Sequence, residues 1–501
     1  MSKLLYTGSD WDFDKIKTTW EAIDKIAKEE FNLDYYPVQF DVISSEQMLD
    51  AYSSHAMPHM YHHWSFGKSF IQNDRSYKAG QSGLAYEVVI NTNPCIAYLM
   101  EDNTMTLQAL VMAHAGCGHN AFFKNNYMFK DWTDAKGIIP YLKYAKDYIQ
   151  KAEEKMGATN VETLLDACHA LQWQSVNKYN RPHKTITKLL KKEQDRDQYL
   201  AADFNDVWRT IPDESSLEKA ISRVYKQIEK EDLEEGQPNL PEENLLFFIR
   251  KYSPSLYKEE REILKIVGKI AQYFYPQSQT QLMNEGFATF FHYEIMTKME
   301  EKGLIDSGSY LEFLESHSGV VMQPEYYQSY YSGINVYALG FAMFQDLKRI
   351  CQDPTEEDIK WFPELSNTKD WVTAIQDIAY NFKDESFILQ YLSPKVIRDF
   401  GFFAVLDDED SPNYEITGIH DDEDVYHIRQ RLSDDFNIGN RIPDIEVTGA
   451  ALQGDMELEL THNVVNGVPL NQEDVDRMVD YVEYLWGHDV VLCSQNLRGD
   501  K

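Results

Sequence analysis

Apolar residues recur at helical spacing through most of the chain. Over residues 11–31, "WDFDKIKTTWEAIDKIAKEEF", Ile16, Trp20, Ile23 and Ile26 fall on one stripe opposite a charged face, which predicts an amphipathic helix docked on a core. A second stripe, Ile263, Ile266, Val267, Ile270 and Phe274, predicts a helix over 259–274. Another apolar helix follows over "TQLMNEGFATFFHYEIMTKMEEKG" (280–303), and the two read as a helical hairpin inside a core.

Strand-like texture is confined to two regions. "GLAYEVVINTNPCIAYLMED" (83–102) is rich in β-branched and aromatic residues and is broken by Asn-Thr-Asn-Pro, which predicts two short strands or a strand and an extended segment. "NTMTLQALVMAH" then offers Asn103 or Thr104 as the N-cap of an apolar helix. Helical periodicity prevails again from about 135 to 230, with a charged stretch "KKEQDRDQYL" (191–200), and the loop "EKEDLEEGQPNLPEEN" (229–244) reads as a surface insertion. After about 395 come short β-like runs, "FGFFAVLDD", "YEITGIH", "PDIEVTG" and "MELELTHN", then one amphipathic helix and "DVVLCSQ". The predicted class is α+β and mainly α-helical, with a large core domain over 1–394 and a small α+β domain over 395–501.

Composition narrows the function. A hydrophobic share of 43% with 13% aromatics describes a packed globular protein. The net charge of −34, with no block of Lys or Arg, excludes nucleic-acid binding and attraction to an anionic membrane; cations, small molecules and peptides fit better as partners. No apolar run is long enough to insert in a membrane and the N-terminus lacks a secretory pattern, so a soluble cytoplasmic protein is expected. The five cysteines are far apart with no CxxC, which supports neither a disulfide framework nor a four-cysteine zinc site.

The chemistry concentrates in "LVMAHAGCGHNAFFKNN" (110–126), where His114 and His119 lie five apart. On an α-helix that spacing puts them about 140° apart, too far to share an ion. One π-type turn would realign them, and Gly116 and Gly118 make local unwinding sterically inexpensive. A third ligand is available in Glu285 of "LMNEGFATF" (282–290), because Asn-Glu-Gly-Phe-Ala is similar to the string with which two-helix zinc peptidases present a glutamate. The expected cofactor is a divalent metal, in the first place Zn2+, in a zincin-like two-helix core. The pattern departs at Ala115, where such peptidases carry the general-base glutamate. Replacement bases are Glu87, His292 and His317, with His292 two turns beyond Glu285 and suited equally to supporting a ligand. Tyr337, in "QPEYYQSYYSGINVYALGFAMFQDL" (323–347), is a candidate donor to a developing oxyanion. The stretch "SSHAMPHMYHHWSFGKSF" (53–70) suggests a loop that presents His62, His63 and Lys68 to an anionic substrate. Asp166 and His169 form a pair able to orient an imidazole, and Cys117 is a weaker ligand candidate that more often packs as a small hydrophobe.

The strings "HHWSFGKSF", "AYEVVINTNPCIAYLMEDNT", "MAHAGCGHNAFFKNNYMF", "LLDACHAL", "QLMNEGFATFFHY" and "INVYALGFAMFQDLKRIC" resemble the SpoVR family, stage V sporulation protein R, in its proteobacterial, YcgB-like branch. Val336 stands where the family has proline, and Phe287 and Phe291 where tryptophan is common. The resemblance implies a cytoplasmic protein tied to spore cortex formation, or in non-sporulating bacteria to stationary phase and stress, encoded beside a PrkA-type serine kinase and a YeaH-type protein. Three functions are then open: a metal-dependent amide hydrolase acting on a small-molecule or peptide substrate such as peptidoglycan precursors or fragments, a non-catalytic regulator in the kinase pathway, and an amide-forming or amide-transferring enzyme on cell-wall peptides.

Overall fold

A computed structural model describes residues 4–78, 87–178, 240–325, 328–406, 415–418, 421–437, 442–452, 454–464, 467 and 469–496. The charged stretch 191–200 and most of the loop 229–244 lie outside the described residues. The chain forms two compact units: Met1–Met57, Trp64–Lys130 and Pro276–Asn440 make the first, and Pro58–His63, Asp131–Tyr275 and Arg441–Lys501 the second. The architecture is α+β and mainly helical.

In the first unit the helix Phe13–Glu29 starts at Asp12, whose carboxylate accepts the Lys15 amide, and it buries Ile16, Ile23 and Ile26. A three-stranded sheet follows, made of β1 (Val38–Ile43), β2 (Glu87–Ile90) and β3 (Cys95–Met100) in the order β1-β3-β2. β3 runs parallel to β1, with Val38 opposite Cys95, and antiparallel to β2, with Glu87 opposite Leu99. Thr104 caps the helix Met105–Val111 by accepting from the Leu107 amide. That helix widens without a break into a π-helix over Met112–His119 and returns to α over Asn120–Asn125.

The helix Gln281–Glu301, here the glutamate helix, buries Leu282, Met283, Phe287, Phe290, Phe291, Ile295, Met296 and Met299. Apolar all round, it is the centre of the first unit rather than a surface element. Asp384 fixes its start by accepting the Leu282 and Met283 amides, at 2.9 Å each. Glycine sets how closely its neighbours approach. A Cβ on Gly118 of the π-helix would stand 2.5 Å from Ala288 Cα, and one on Gly286 would stand 2.5 Å from Gly340 Cα in the helix Val336–Gln352, here the tyrosine helix. Neither Gly116 nor Gly118 adopts positive φ, so their role is close packing rather than the backbone freedom expected from the sequence. The far end of the tyrosine helix is tied by Arg349, which grips Asp358 with two bonds of 2.7 and 2.9 Å and reaches Asp346 at 2.7 Å.

The second unit packs helices that include Ile138–Met156, Ala158–Ala170, Leu245–Tyr252 and Gln472–Trp486 with a sheet of Asp444–Ala450, Leu458–Val464 and Val490–Asn496. The middle strand is antiparallel to the first and parallel to the last. Trp486 is fully buried, its indole donating to the Met456 carbonyl at 2.6 Å. The helix Lys258–Gln279 belongs to this unit as far as Tyr275 and the glutamate helix to the first, so the hairpin expected within one core is replaced by membership of two. The short strands Ala404–Leu406 and Glu415–Gly418 and the helix Asp422–Phe436 fall in the first unit. Among the described residues no helix is long and apolar enough to cross a membrane.

Three outcomes follow from these contacts. Gly118→Ala forces backbone apart and should cost about 1–3 kcal/mol, seen as a lower denaturation midpoint. Gly319→Ala, which meets nothing within 4 Å in the helix Ser307–Val320, should hold or raise it. Burial pushes the Asp358 carboxyl up, but its bonds to Arg349 and Thr355 outweigh that and hold it below its ordinary value of 3.8. A depressed carboxylate stabilises the fold above that value and ceases to as pH falls through its lowered pKa, so the stability gap between wild type and Arg349→Met should be wide at neutral pH and narrow below about 4 in urea titrations.

Candidate metal centre

The π-helix is what brings the two histidines together. Its i→i+5 bonds place residues five apart on one line, and the His114 and His119 rings stand edge to face with centroids 4.5 Å apart. Both residues are about 95% buried, at 5% and 4% exposure. Their Nε2 atoms point at two carboxylates. Glu285 Oε2 lies 3.7 Å from His114 Nε2 and 3.4 Å from His119 Nε2; Glu87 Oε1 lies 3.2 and 4.0 Å from the same two atoms. Glu87, His114 and His119 each bring a ligand atom within 4.8 Å of the others.

These spacings suit a common cation. Metal–ligand bonds of about 2.0–2.2 Å in a tetrahedral site set neighbouring ligand atoms about 3.3–3.6 Å apart, within the 3.2–4.0 Å range seen here. The Oε2 atom of Glu87 is buried and has no hydrogen-bond partner among the described residues, while the equally buried Oε2 of Glu285 faces the two imidazole Nε2 atoms at 3.4 and 3.7 Å. Leaving a carboxylate oxygen in that condition is costly unless something positive joins it, so the donor set fits a divalent ion.

The other nitrogen of each imidazole is engaged. His119 Nδ1 donates to Asn284 Oδ1 at 2.9 Å, and His114 Nδ1 shares a bond of 2.8 Å with His292 Nδ1. His292 Nε2 in turn shares a bond of 2.9 Å with His317 Nδ1. Holding Nδ1 fixes the ring and leaves Nε2 free to bind, which is how ligand histidines are usually oriented. Asn284 escapes the sequence reading although it is next to Glu285 in "NEGFA": one helical residue supplies a carboxylate to the cluster and its neighbour supports a histidine.

Charge is distributed unevenly across the cluster. Burial works against a proton on His119, but Glu285 and then Glu87 outweigh it and raise its pKa to about 9. Burial would likewise raise Glu285, yet the two imidazoles pull it far below the usual carboxylate range. For Glu87 burial wins over the imidazoles and its pKa rises. Burial and the neighbouring imidazoles push His292 well down, and burial, then His114, lowers His317 to about 4.

Tyr337 lies in the first turn of the tyrosine helix, set by Asn335, whose side chain accepts the Tyr337 amide at 2.9 Å. The close Gly286–Gly340 contact keeps this turn beside Glu285. The Tyr337 phenol is raised by burial first, then by the charges of Glu285 and Glu87. Ala115 is fully buried and offers no base.

His62 is exposed, His63 Nε2 is 3.1 Å from Asp166 Oδ1 in the second unit, and Lys68 is exposed with its ammonium over the Trp64 ring in the first. His169 bonds the Tyr61 hydroxyl at 2.5 Å, also in the second unit. Cys117 is a buried thiol whose pKa is pushed up by its burial.

Comparison with known proteins agrees over nearly the whole length. The family described as SpoVR like protein matches residues 10–441, and the SpoVR-like C-terminal domain matches 443–496. The Escherichia coli (strain K12) protein described as "Uncharacterized protein YcgB" is 50% identical over 496 residues, which cover 99% of this chain and 94% of that relative. No solved structure matches the chain. With both family regions matched end to end and half the residues shared with a relative of nearly equal length, the chain belongs to the SpoVR family.

Proposed function

We propose that the chain is a metal-dependent amide hydrolase with a zincin-like two-helix core, in which the π-helix supplies His114 and His119, the glutamate helix supplies Glu285, and the ion is in the first place zinc. The observation that carries this reading is the meeting of two Nε2 atoms, on rings both held from behind, with two buried carboxylates, of which Glu87 keeps an oxygen without a hydrogen-bond partner among the described residues. A bound ion would polarise a carbonyl and acidify water near neutral pH.

The chain's own groups divide the remaining work. Glu285 balances positive charge between the imidazoles. Glu87 is the other carboxylate at the cluster and takes the part for which Ala115 has no side chain: its unpartnered Oε2 accepts a proton from the attacking water and passes it to the leaving nitrogen. The Tyr337 hydroxyl donates to the oxygen on which charge develops. Membership of the SpoVR family extends the proposal to cell-wall peptides as substrate and to action in the cytoplasm beside a PrkA-type kinase.

Protein purified without a histidine tag should contain about one equivalent of zinc by elemental analysis. Glu285→Ala and His119→Ala should lose it while keeping the wild-type circular dichroism. Glu87→Gln should retain the ion and lose about 10²–10⁴-fold in turnover of peptide amides. Metal-free wild type, together with a His114→Ala chain that still complements a deletion strain, would instead mark a vestigial site in an interaction protein. Because an ion must displace the proton that His119 holds up to about pH 9, zinc affinity measured against a chromophoric chelator should rise with pH and level off above that value.

A further inference from the structure

Behind His114 the first unit holds a line of three imidazoles, His114, His292 and His317, joined by bonds of 2.8 and 2.9 Å and almost wholly buried. A neutral imidazole has one N–H and one lone pair. Three of them in a row can therefore be ordered in only two ways. In one order His114 Nδ1–H donates to His292 Nδ1, His292 Nε2–H donates to His317 Nδ1, and His114 Nε2 presents a lone pair to the cluster. In the other order every proton sits on the opposite nitrogen, and His114 Nε2–H points at Glu87 Oε1, 3.2 Å away.

We propose that His292 and His317 are positioning residues that hold His114 in the lone-pair order for a cation, and that the order reverses when the cation leaves: water gives a proton to His114 Nε2, each bonded proton passes to the next ring, and His317 Nε2 releases its proton to water. The proposal rests on the metal reading above. It assigns no proton abstraction to His292, both of whose nitrogens are already engaged.

Three observations make the line a built feature. His292 comes from the glutamate helix and His317 from the neighbouring helix Ser307–Val320, so two separate elements must agree for it to form. Rings fix the last member: Phe341 lies edge-on to His317 at 4.7 Å, with Tyr293 at 5.0 Å and Phe313 at 5.7 Å. The other ligand histidine, His119, is supported at Nδ1 by Asn284 Oδ1 instead, so the row of imidazoles stands behind His114 alone.

The test uses the full chain with 15N-labelled histidine. In zinc-loaded protein, long-range proton–nitrogen correlation should find His114 protonated at Nδ1, with His292 and His317 protonated at Nε2; in metal-free protein all three should carry the opposite pattern. His292→Phe, which removes the acceptor and keeps a ring, should weaken zinc binding about 10–100-fold. His292→Asn restores at this position the acceptor that Asn284 offers to His119, and should recover most of that loss, which separates positioning from packing. His317→Phe should leave zinc affinity closer to wild type and uncouple the two remaining tautomers. Full zinc affinity in a folded His292→Phe chain, or His114 protonated at Nε2 in loaded protein, overturns the proposal. A wild type that takes up no zinc defeats the metal reading separately; the line is then judged on metal-free protein, where protons of mixed sense on the three rings overturn it.

Discussion

Two imidazoles five residues apart can face one point only where the helix that carries them is widened, and the first unit is arranged around that widened turn. A π-turn replaces regular i→i+4 bonds with longer ones, so it needs neighbours that hold it. Gly118 lets Ala288 of the glutamate helix come against it at backbone distance, and Gly116 admits the rings of Trp20 and Phe40. The same closeness that braces the turn sets Glu285, one turn before Ala288, opposite the two histidines.

The cluster is polar, yet its setting is not. Phe122, Phe287, Phe290 and Phe291 are fully buried in the same core, and in such surroundings an unpartnered carboxylate oxygen is far more costly than at a surface. Sequence and fold concentrate this cost at one place, where Glu87 Oε2 has no hydrogen-bond partner among the described residues and Glu285 Oε2 faces imidazoles held from behind. Local rules of stability broken together in this way are what a functional site looks like in an otherwise well-packed core. The tyrosine helix follows the same logic: two glycines remove the side chains that would keep it away, and Tyr337 arrives beside the carboxylates as a result.

The family's two regions meet at 441–443, and the chain re-enters its second unit at Arg441. The C-terminal region is thus part of a unit that also contains Asp131–Tyr275, joined through pairs such as Ser253 Oγ donating to the Leu485 carbonyl at 2.9 Å. Lys178 and Asp444, an ion pair of 3.3 Å with both side chains buried, tie the same two stretches, as does the bridge between Glu242 and Val447. The texture change after about 395 reflects short strands, two of which, Ala404–Leu406 and Glu415–Gly418, belong to the first unit.

By itself the sequence determined those features that depend on neighbours along the chain. The stripe of Ile16, Ile23 and Ile26 makes a docking helix wherever it lies, Asn-Thr-Asn-Pro must interrupt the strands around it, Thr104 caps its helix, and the five-residue spacing of His114 and His119 requires a wider turn if the two are to meet. Features that depend on partners far away in sequence were decided by tertiary structure. Asn284 supports a histidine 165 positions earlier and His292 one 178 positions earlier, while Gly118 and Gly286 matter for the backbones they touch and not for their own conformation. His62, His63 and Lys68 are dense in sequence yet go to different units, because adjacency along a chain sets no direction for a side chain once the backbone turns. A polar residue in an apolar helix announces that something must satisfy it, but only the packing of the helices decides what.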